Sequence, residues 1–421
     1  MKHIVLVGDG MADFPLPEHG GLTPLEMART PVMDKVVRCG VSGLFCPIPD
    51  DLEPGSDIGN LSLFGYDPHT TYTGRAPLEA ASRGIHIDKG QVAFRCNLVT
   101  LEDGLMRDFT AGHITSEEAV LLIDALNEAM GKDEDITFHS GVGYRHLTIF
   151  SSVDPQIDGF ARLVCTPPHD ITGQPFEPHL PDGPGGERVR KVMQRARLIL
   201  SKHQVNAVRD AVGDPPANAI WLWGQGRAPS LEPFQERFGI AGAVVSAVDL
   251  VNGIGVLAGL KRLNVPGATG YLDTDYAGKV DTALRALDKH DFVFVHVEAT
   301  DETSHEGRLD RKILAIEEFD SQVVGPCMQY LARDPECRLL VAPDHVTALS
   351  TRTHAKGPVP FAVCGKGVEA GRAEAFNESA ATATGLLIRE GHRLVPILLE
   401  SLNISSDILY NKTQAGNADA R

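Results

Sequence analysis

Residue types that bind divalent metals follow three short apolar stretches of the chain. The stretches are 4–7 before Asp9, 292–295 before His296, Glu298, Asp301 and His305, and 339–341 before Asp344 and His345. Each stretch has the length and composition of a buried strand. Because ligands of open α/β sheets bind beyond the carboxyl ends of the strands, we expect these side chains to converge. Carboxylates and neutral imidazoles together suit Mn²⁺, Zn²⁺ or Mg²⁺, so the pattern predicts a metallo-enzyme.

The spacing of these residues adds detail. Asp301 and His305 are four residues apart, so a helical turn between them would place both side chains on one face, as two ligands of one ion require. Asp344 and His345 are adjacent, and neighbouring side chains in a loop can reach two separate ions. His354 follows in a loop that contains prolines. Any one of these residues alone is more often a cap, an ion pair or a surface group, and the metal interpretation depends on their shared position at strand ends.

Segment 53–60 surrounds Ser56 with turn-forming residues, Glu-Pro-Gly-Ser-Asp-Ile-Gly-Asn. Such a serine can simply cap the helix that follows, and on its own this role is about as common as catalysis. A helix N-terminus also binds anions, so Ser56 could attack a phosphate group and hold the product. A bound cation would lower the pKa of the hydroxyl and neutralise charge on the phosphoryl oxygens.

Composition restricts the class of protein. The chain has 421 residues, of which 43% are hydrophobic and 23% charged, and this predicts a globular protein of two or three domains. A formal net charge of −17 argues against general nucleic-acid or anionic-membrane binding. Seven scattered cysteines without a C-x-x-C pair indicate free thiols in a reducing compartment. With no signal-like segment and no run of 18 apolar residues, we expect a soluble cytoplasmic protein; the oligomeric state stays open.

Strand-like and helix-like segments alternate, which predicts an α/β fold with a mostly parallel sheet. The amino-acid composition changes between residues 67 and 184, where Gly and Pro clusters occur. The candidate ligands lie on both sides of this region. We therefore expect a catalytic domain formed by 1–66 and 185–410, a smaller insert at 67–184, and a flexible C-terminal tail at 411–421.

A glycine-rich segment at 253–259 imitates a nucleotide-binding fingerprint. It follows the strand-like 243–245, but its second gap between glycines is three residues instead of two, and residues 246–252 separate it from the strand. Close helix packing explains the glycines better, so a dehydrogenase is disfavoured. No G-x-x-x-x-G-K-[ST] phosphate loop occurs, which argues against a conventional ATPase.

Several motifs occur together in one order along the chain. They are Gly8-Asp9-Gly10, Pro54-Gly55-Ser56-Asp57-Ile58-Gly59-Asn60, Asp301-x-x-x-His305, Asp344-His345 and His354-x-x-x-Pro358-Val359-Pro360. In this order they resemble the cofactor-independent (2,3-bisphosphoglycerate-independent) phosphoglycerate mutases, in the archaeal-type branch of the alkaline phosphatase superfamily. Further segments at 65–68, 72–80 and 94–100 are also similar to this family. They extend the resemblance to nearly the whole chain except the last twenty or so residues.

The resemblance implies a fold, cofactors and residue roles. The implied fold is an alkaline-phosphatase-like, mostly parallel central sheet flanked by helices, with a smaller α/β insert domain. Ser56 matches the serine that becomes phosphorylated. The matching metal ligands are Asp9, Ser56, Asp344 and His345 for one ion, and Asp301, His305 and His354 for a second. The two ions would be Mn²⁺ or Zn²⁺, with Mg²⁺ as a further option, and no 2,3-bisphosphoglycerate would be needed.

The implied reaction, a step of glycolysis and gluconeogenesis, moves phosphate from 3-phosphoglycerate onto Ser56 and returns it to the 2-hydroxyl, or the reverse. Closure of the insert would exclude water, which would otherwise hydrolyse the phosphoserine. Because the substrate carries a carboxylate and a phosphate, we expect the insert to supply guanidinium groups that bind it. The candidates are Arg75, Arg95 and Arg145, with His113 and Arg227 as weaker ones.

Three alternatives stay open at this point. A related phosphotransferase would use the same site with another small alcohol such as homoserine, and the segment Trp221-Leu222-Trp223-Gly224-Gln225-Gly226 favours that subgroup. A simple phosphatase would release phosphate to water. A metal-binding scaffold without catalysis is disfavoured, because the nucleophile and every expected ligand are present. The acceptor is set by pocket contacts, so the sequence does not choose between the first two and a mutase.

Overall fold

A computed structural model of the protein describes residues 1–131, 135–151, 157–160, 162–400, 403–407 and 409. The predicted tail at 411–421 lies outside the described residues. The chain divides into two units. The first contains Met1–Tyr72 and the chain from Ser230 onward, and the second contains Thr73–Pro229. Among the described helices, none combines the length and apolar character needed to cross a membrane.

The elements are numbered in chain order. The strands are β1 (Lys2–Gly8), β2 (Gly40–Phe45), β3 (Val92–Glu102), β4 (Leu105–Asp108), β5 (Ile136–Val142), β6 (Arg145–Phe150), β7 (Ala219–Gly226), β8 (Gly242–Val245), β9 (Lys261–Arg262), β10 (Phe292–Val297), β11 (Cys337–Ala342), β12 (Val346–Ala348), β13 (Thr353–Ala355), β14 (Val359–Gly365) and β15 (Leu387–Ile388). The α-helices are α1 (Pro24–Met27), α2 (Pro31–Arg38), α3 (Ser56–Leu63), α4 (Pro68–Thr71), α5 (Arg75–Ser82), α6 (Ser116–Met130), α7 (Ile157–Phe160), α8 (Gly186–Leu200), α9 (Gln204–Val212), α10 (Phe234–Phe238), α11 (Asp249–Leu257), α12 (Tyr276–Ala286), α13 (Ala299–His305), α14 (Leu309–Glu318), α15 (Gly325–Arg333), α16 (Glu378–Ala383) and α17 (Leu394–Glu400).

The first unit is built on an eight-stranded sheet with the order β15-β2-β14-β11-β1-β10-β8-β9. Strands β11, β1, β10, β8 and β9 run parallel to one another, and β14 runs antiparallel to both of its neighbours. The predicted mostly parallel sheet flanked by helices is therefore confirmed. Strands β10 and β11 are buried along their whole length, and β1 is buried after its first residue. Near-continuous apolar runs of this kind are typical of parallel strands covered on both faces.

The second unit is an antiparallel sheet with helices. Strand β3 pairs with β4, β6 and β7, and β5 pairs with β6. Side chains of β3, β7, α6 and α8 share one hydrophobic core.

The boundaries of the second unit differ from the predicted insert at 67–184. The unit begins at Thr73, because α4 packs against α3 of the first unit. It ends at Pro229, because β7 pairs with β3 and α8 packs against β7. The Gly and Pro cluster that suggested a boundary near 184 immediately precedes α8, inside this unit.

The glycine-rich segment 253–259 lies largely in α11 and does not form a turn between a strand and a helix. A Cβ on Gly255 would lie only 2.6 Å from Val244 Cγ1 of β8. Close packing of a helix on the sheet therefore explains this glycine, as the sequence indicated.

We expect the Gly255→Ala variant to be less stable than the natural protein. The new methyl group overpacks against the buried and branched Val244, at a cost of about 1–3 kcal/mol. This cost exceeds the roughly 1 kcal/mol that alanine gains from its helix propensity. Denaturant unfolding would measure the difference in the free energy of unfolding. Val256→Ala, on the exposed side of the same helix, is the control, and its change in this free energy should be close to zero. A Gly255→Ala protein as stable as the natural one would contradict the packing argument.

Candidate active site

Three neighbouring strands of the central sheet end at one edge, and most of the predicted ligands follow directly after these strand ends. Strand β1 lies between β10 and β11, and Val7 of β1 is opposite His296 of β10 and Ala342 of β11. Because the three strands are parallel and in register, the residues that follow them emerge at the same place. Asp9, helix α13 and the loop with Asp344 and His345 therefore meet beyond the carboxyl ends.

Asp301, His305 and His354 form the first group of ligand atoms. Asp301 and His305 lie one helical turn apart in α13, and His305 Nε2 is 3.1 Å from Asp301 Oδ2. His354 Nε2, on β13, is 3.1 Å from His305 Nε2 and 3.5 Å from Asp301 Oδ1. His305 Nδ1 donates to the carbonyl oxygen of Arg352 at 2.9 Å, which leaves Nε2 as the nitrogen that faces the group.

Asp9, Ser56, Asp344 and His345 also come together. Ser56 is the first residue of α3, and its Oγ is 3.0 Å from His345 Nε2. The same nitrogen is 3.3 Å from Asp9 Oδ1 and 3.4 Å from Asp344 Oδ2. The structure thus gathers all seven of the predicted metal-site residues at this edge of the sheet, around Ser56.

Three residues outside the two predicted ligand sets also belong to the site. Asn60 Nδ2 donates to Asp344 Oδ2 at 2.6 Å and to the Ser56 carbonyl oxygen at 2.9 Å. Thr347 Oγ1 donates to Asp301 Oδ1 at 2.5 Å. His296 Nε2 lies 3.3 Å from Asp9 Oδ2. The spacing of Asn60 four residues after Ser56 was a readable helical signal, whereas the contacts of Thr347 and His296 join distant parts of the chain.

Negative charge is concentrated at the site. Burial, with the nearby charges of Asp344 and Asp301, raises the pKa of Asp9 well above its ordinary value. Burial also acts to raise the pKa of Asp301, but hydrogen bonds with His305 and His354 outweigh it and hold this pKa well below the usual range. The hydrogen bond to Asp301 raises the pKa of His305 to about 9. Buried carboxylates at this density require nearby positive charge.

The residues present fit divalent cations. Three groups bring their ligand atoms within 4.8 Å of one another, namely Asp301 with His305 and His354, Asp9 with Asp301 and His345, and Asp9 with His296 and Asp344. Asp9 Oδ1 and His296 Nε2 are buried and have no hydrogen-bond partner within the described part of the chain. Buried polar atoms are rarely left without a partner, so these two atoms are suited to ligate an ion. The donor set of carboxylates and imidazoles suits Mn²⁺ or Zn²⁺.

Three of the five predicted substrate-binding residues share interactions in the second unit. Arg75 Nε and Arg95 Nε lie 3.4 Å and 3.1 Å from the two oxygens of Glu79, and the Arg95 guanidinium lies 4.1 Å from the ring centre of Trp223. Burial lowers the pKa of Arg95 to about 10, and the charges of Arg75 and Arg145 act in the same direction. Two arginines that share one glutamate, together with the charge of Arg145 acting on Arg95, leave an excess of positive charge that favours anions.

The other two predicted substrate-binding residues are His113 and Arg227. His113 lies in an exposed turn after β4 with a left-handed φ of 52°. Arg227 follows the end of β7, and its carbonyl oxygen accepts a hydrogen bond from Thr73 Oγ1 at 2.6 Å. A substrate-binding role for any of the five residues stays a prediction.

Comparison with known proteins identifies relatives along almost the entire chain. A family profile described as 2,3-bisphosphoglycerate-independent phosphoglycerate mutase matches residues 38–206. A Geobacter sulfurreducens protein named as a probable 2,3-bisphosphoglycerate-independent phosphoglycerate mutase is 48% identical over 405 residues, which cover 95% of this chain and 100% of the relative. The Methanothrix thermoacetophila protein named as that mutase is 48% identical over 400 residues, with the same coverage of 95% and 100%.

Two solved structures have a similar fold. A protein from Pyrococcus horikoshii has a TM-score of 0.79 and 30% sequence identity, and the match covers 95% of this chain and 96% of that one. The cofactor-independent phosphoglycerate mutase from Thermoplasma acidophilum has a TM-score of 0.61 and 27% identity, with 99% of both chains covered. The similarity therefore spans both units of the protein.

Proposed function

The chain belongs to the 2,3-bisphosphoglycerate-independent phosphoglycerate mutases, and from this premise we propose that it interconverts 3-phosphoglycerate and 2-phosphoglycerate through a phosphoserine at Ser56. The family expected from the motifs is confirmed, and with it the class of enzyme, an isomerase that transfers a phosphoryl group within its substrate. The name of the family states independence from 2,3-bisphosphoglycerate. The observation that carries the assignment of Ser56 is the position of its hydroxyl, 3.0 Å from His345 Nε2 at the start of α3.

Ser56 combines a nucleophile with an anion-binding position. The first backbone N–H groups of a helix have no partner within the helix, so the start of α3 can bind the oxygens of a phosphoryl group. Attack by Ser56 Oγ on phosphorus would expel the substrate hydroxyl and leave the phosphate at the same helix end. The second transfer, to the other hydroxyl of the bound glycerate, reverses this step.

The surrounding residues position Ser56 and bury most of its surface. Asn60 donates to the Ser56 carbonyl oxygen and to Asp344, which ties α3 to the loop after β11. Gly59 allows this approach, because a Cβ there would lie 2.2 Å from the Asp344 carbonyl oxygen. Burial lowers the pKa of His345, so its ring is neutral near pH 7. Ser56 itself is only 9% exposed, which limits hydrolysis of a phosphoserine.

We propose that the seven gathered residues hold two divalent cations, Mn²⁺ or Zn²⁺. Asp9, Ser56, Asp344 and His345 would hold one, and Asp301, His305 and His354 the other. When bound, such ions lower the pKa of the serine hydroxyl and neutralise charge on the transferred group. For the carboxylate and phosphate of the substrate we propose Arg75, Arg95 and Arg145, whose planar guanidinium groups bind such anions in pairs of hydrogen bonds.

The segment that favoured another alcohol as acceptor forms β7. Trp221 is completely buried in the core of the second unit, and Trp223 Nε1 donates to Asn97 Oδ1 at 3.1 Å. These contacts explain Trp221 by packing, while Trp223 contacts both Asn97 and the Arg95 guanidinium. They give no specific support to homoserine as a substrate.

Incubation of the protein with 3-phosphoglycerate and Mn²⁺ tests the proposed reaction. We expect 2-phosphoglycerate to form with little free phosphate, and ³¹P NMR would follow both products in one sample. Chelation by EDTA should abolish turnover and added Mn²⁺ should restore it, because the ligand groups need their ions. Release of free phosphate alone would identify a phosphatase, and activity that survives verified metal removal would contradict the proposed site.

The Ser56→Ala variant should lose transfer activity by about 10³-fold or more, because it lacks the hydroxyl that we propose forms the covalent intermediate. Ser62→Ala is a matched control in the same helix, since Ser62 Oγ donates to the Pro47 carbonyl oxygen and lies outside the ligand groups. Steady-state kinetics of both variants would measure the effect. Turnover that is undiminished in Ser56→Ala would show that another residue is the nucleophile.

A further inference from the structure

His296 is a completely buried histidine next to the site for which the proposed reaction has no role. It is part of strand β10, and its two ring nitrogens face two different carboxylates. Nδ1 lies 3.1 Å from Glu298 Oε1, and Nε2 lies 3.3 Å from Asp9 Oδ2. Nε2 has no hydrogen-bond partner among the described residues.

The orientation of the His296 ring is held by a buried chain of charged groups. Glu298 Oε2 lies 2.6 Å from Lys279 Nζ, and these two side chains are 2% and 0% exposed. Glu298 Oε1 also accepts hydrogen bonds from Ser246 Oγ at 2.8 Å and from the backbone N–H of Ala247 at 3.0 Å. These donors hold the Glu298 carboxylate in one place, and its contact with Nδ1 orients the His296 ring so that Nε2 faces Asp9.

This arrangement is the one that metal-binding histidines commonly have. Such a histidine donates one ring N–H to a carboxylate, which fixes the ring and leaves the other nitrogen for the metal. The ligand atoms of Asp9, His296 and Asp344 all lie within 4.8 Å of one another and are all buried. Two carboxylates and an imidazole form a donor set for Mn²⁺ or Zn²⁺.

We propose that His296 Nε2 is a further ligand of the cation held by Asp9 and Asp344 beside Ser56, with the Lys279–Glu298 pair as the positioning group for its ring. The inference rests on the proposed function and deepens it, because it adds a donor to one of the two proposed ions. The consequence is a difference between the two ions. The ion beside Ser56 gains a ligand, His296, that lies within strand β10. The ligands of the other ion lie on α13 and β13.

The rival explanation is that His296 carries a proton on both nitrogens and forms ion pairs on both sides. Burial acts to lower the pKa of His296, but Asp9 and Glu298 outweigh it and raise this pKa to about 10. The two explanations predict opposite effects of removing the ring. Loss of a ligand weakens cation binding, whereas loss of a neighbouring positive charge strengthens it.

The His296→Asn variant separates the two explanations. Asparagine retains a side-chain N–H that can reach Glu298 but has no atom at the position of Nε2. Titration of the metal-free full chain with Mn²⁺ by calorimetry, with metal analysis of the dialysed complex, should show two bound ions in the natural protein. In the variant we expect one ion to bind about 10–100-fold more weakly, and the other to bind as before.

Two further variants keep the test decisive. His3→Asn removes another buried histidine of the first unit, which lies on β1 and is 3% exposed, and it should leave cation affinity unchanged. His296→Gln can place an amide oxygen near the position of Nε2, and we expect it to recover part of the affinity; it also replaces His296→Asn if that variant does not fold.

Cation affinities within twofold of the natural protein in the His296 variants, or tighter binding, would overturn the assignment of His296 as a ligand. The proposed function would be unaffected by that result, since it requires only that the natural protein bind two ions and form 2-phosphoglycerate. If the natural protein binds no cation, both the His296 assignment and the proposed function are refuted. The titration of the natural protein gives this result without reference to the variants.

Discussion

The mutual repulsion of Asp9, Asp301 and Asp344 is the constraint on which the rest of the site depends. The three carboxylates are buried within one small region, where charges interact far more strongly than in water. The opposite shifts in pKa at Asp9 and Asp301 show that the local histidines compensate only part of this charge. Divalent cations would compensate the remainder, and the same positive charge is what a phosphoryl group needs during transfer. The concentration of buried carboxylates thus accounts both for the proposed binding of cations and for the proposed chemistry.

Much of the first unit serves to keep these carboxylates together. Parallel pairing of β1 with β10 and β11 brings residues almost 340 positions apart in sequence to one edge. Behind this edge, the buried Lys312 Nζ lies 2.9 Å from Asp13 Oδ2 and also donates to the carbonyl oxygens of Ala12 and Thr347. This contact ties the loop after β1 to β12, whose Thr347 hydroxyl donates to Asp301. Asp301 and Asp344 thus accept hydrogen bonds from the neutral side chains of Thr347 and Asn60, and Asp9 is placed by the pairing of β1 with its neighbours.

The parts of the site that were predictable from sequence are those encoded locally. Apolar runs that end in Asp9, Asp301 and Asp344 predict strand ends, and the four-residue spacing to His305 predicts a shared helical face. The function of Ser56 required the whole ordered set of motifs, because a serine before a helix is equally typical of a cap.

What sequence could not supply were contacts between remote segments. His296 was recognisable as a strand-end residue, but its pairing with Asp9 depends on the register of β1 and β10, in which Val7 lies opposite His296. The end of the second unit at Pro229 depends on the pairing of β7 with β3, which no local pattern near 184 records. The ion pair of Arg95 with Glu79 joins β3 to α5 in the same way, whereas the pair of Arg75 with Glu79 lies within α5 at the local spacing of four residues.

X-ray diffraction at the manganese absorption edge, from crystals grown with Mn²⁺, tests the central claim most directly. Two anomalous peaks are expected, one between Asp301, His305 and His354, and one between Asp9, Asp344 and His345 in contact with Ser56 Oγ. Anomalous density that is absent from both groups, or ions that leave the Ser56 hydroxyl without a metal contact, would contradict the account.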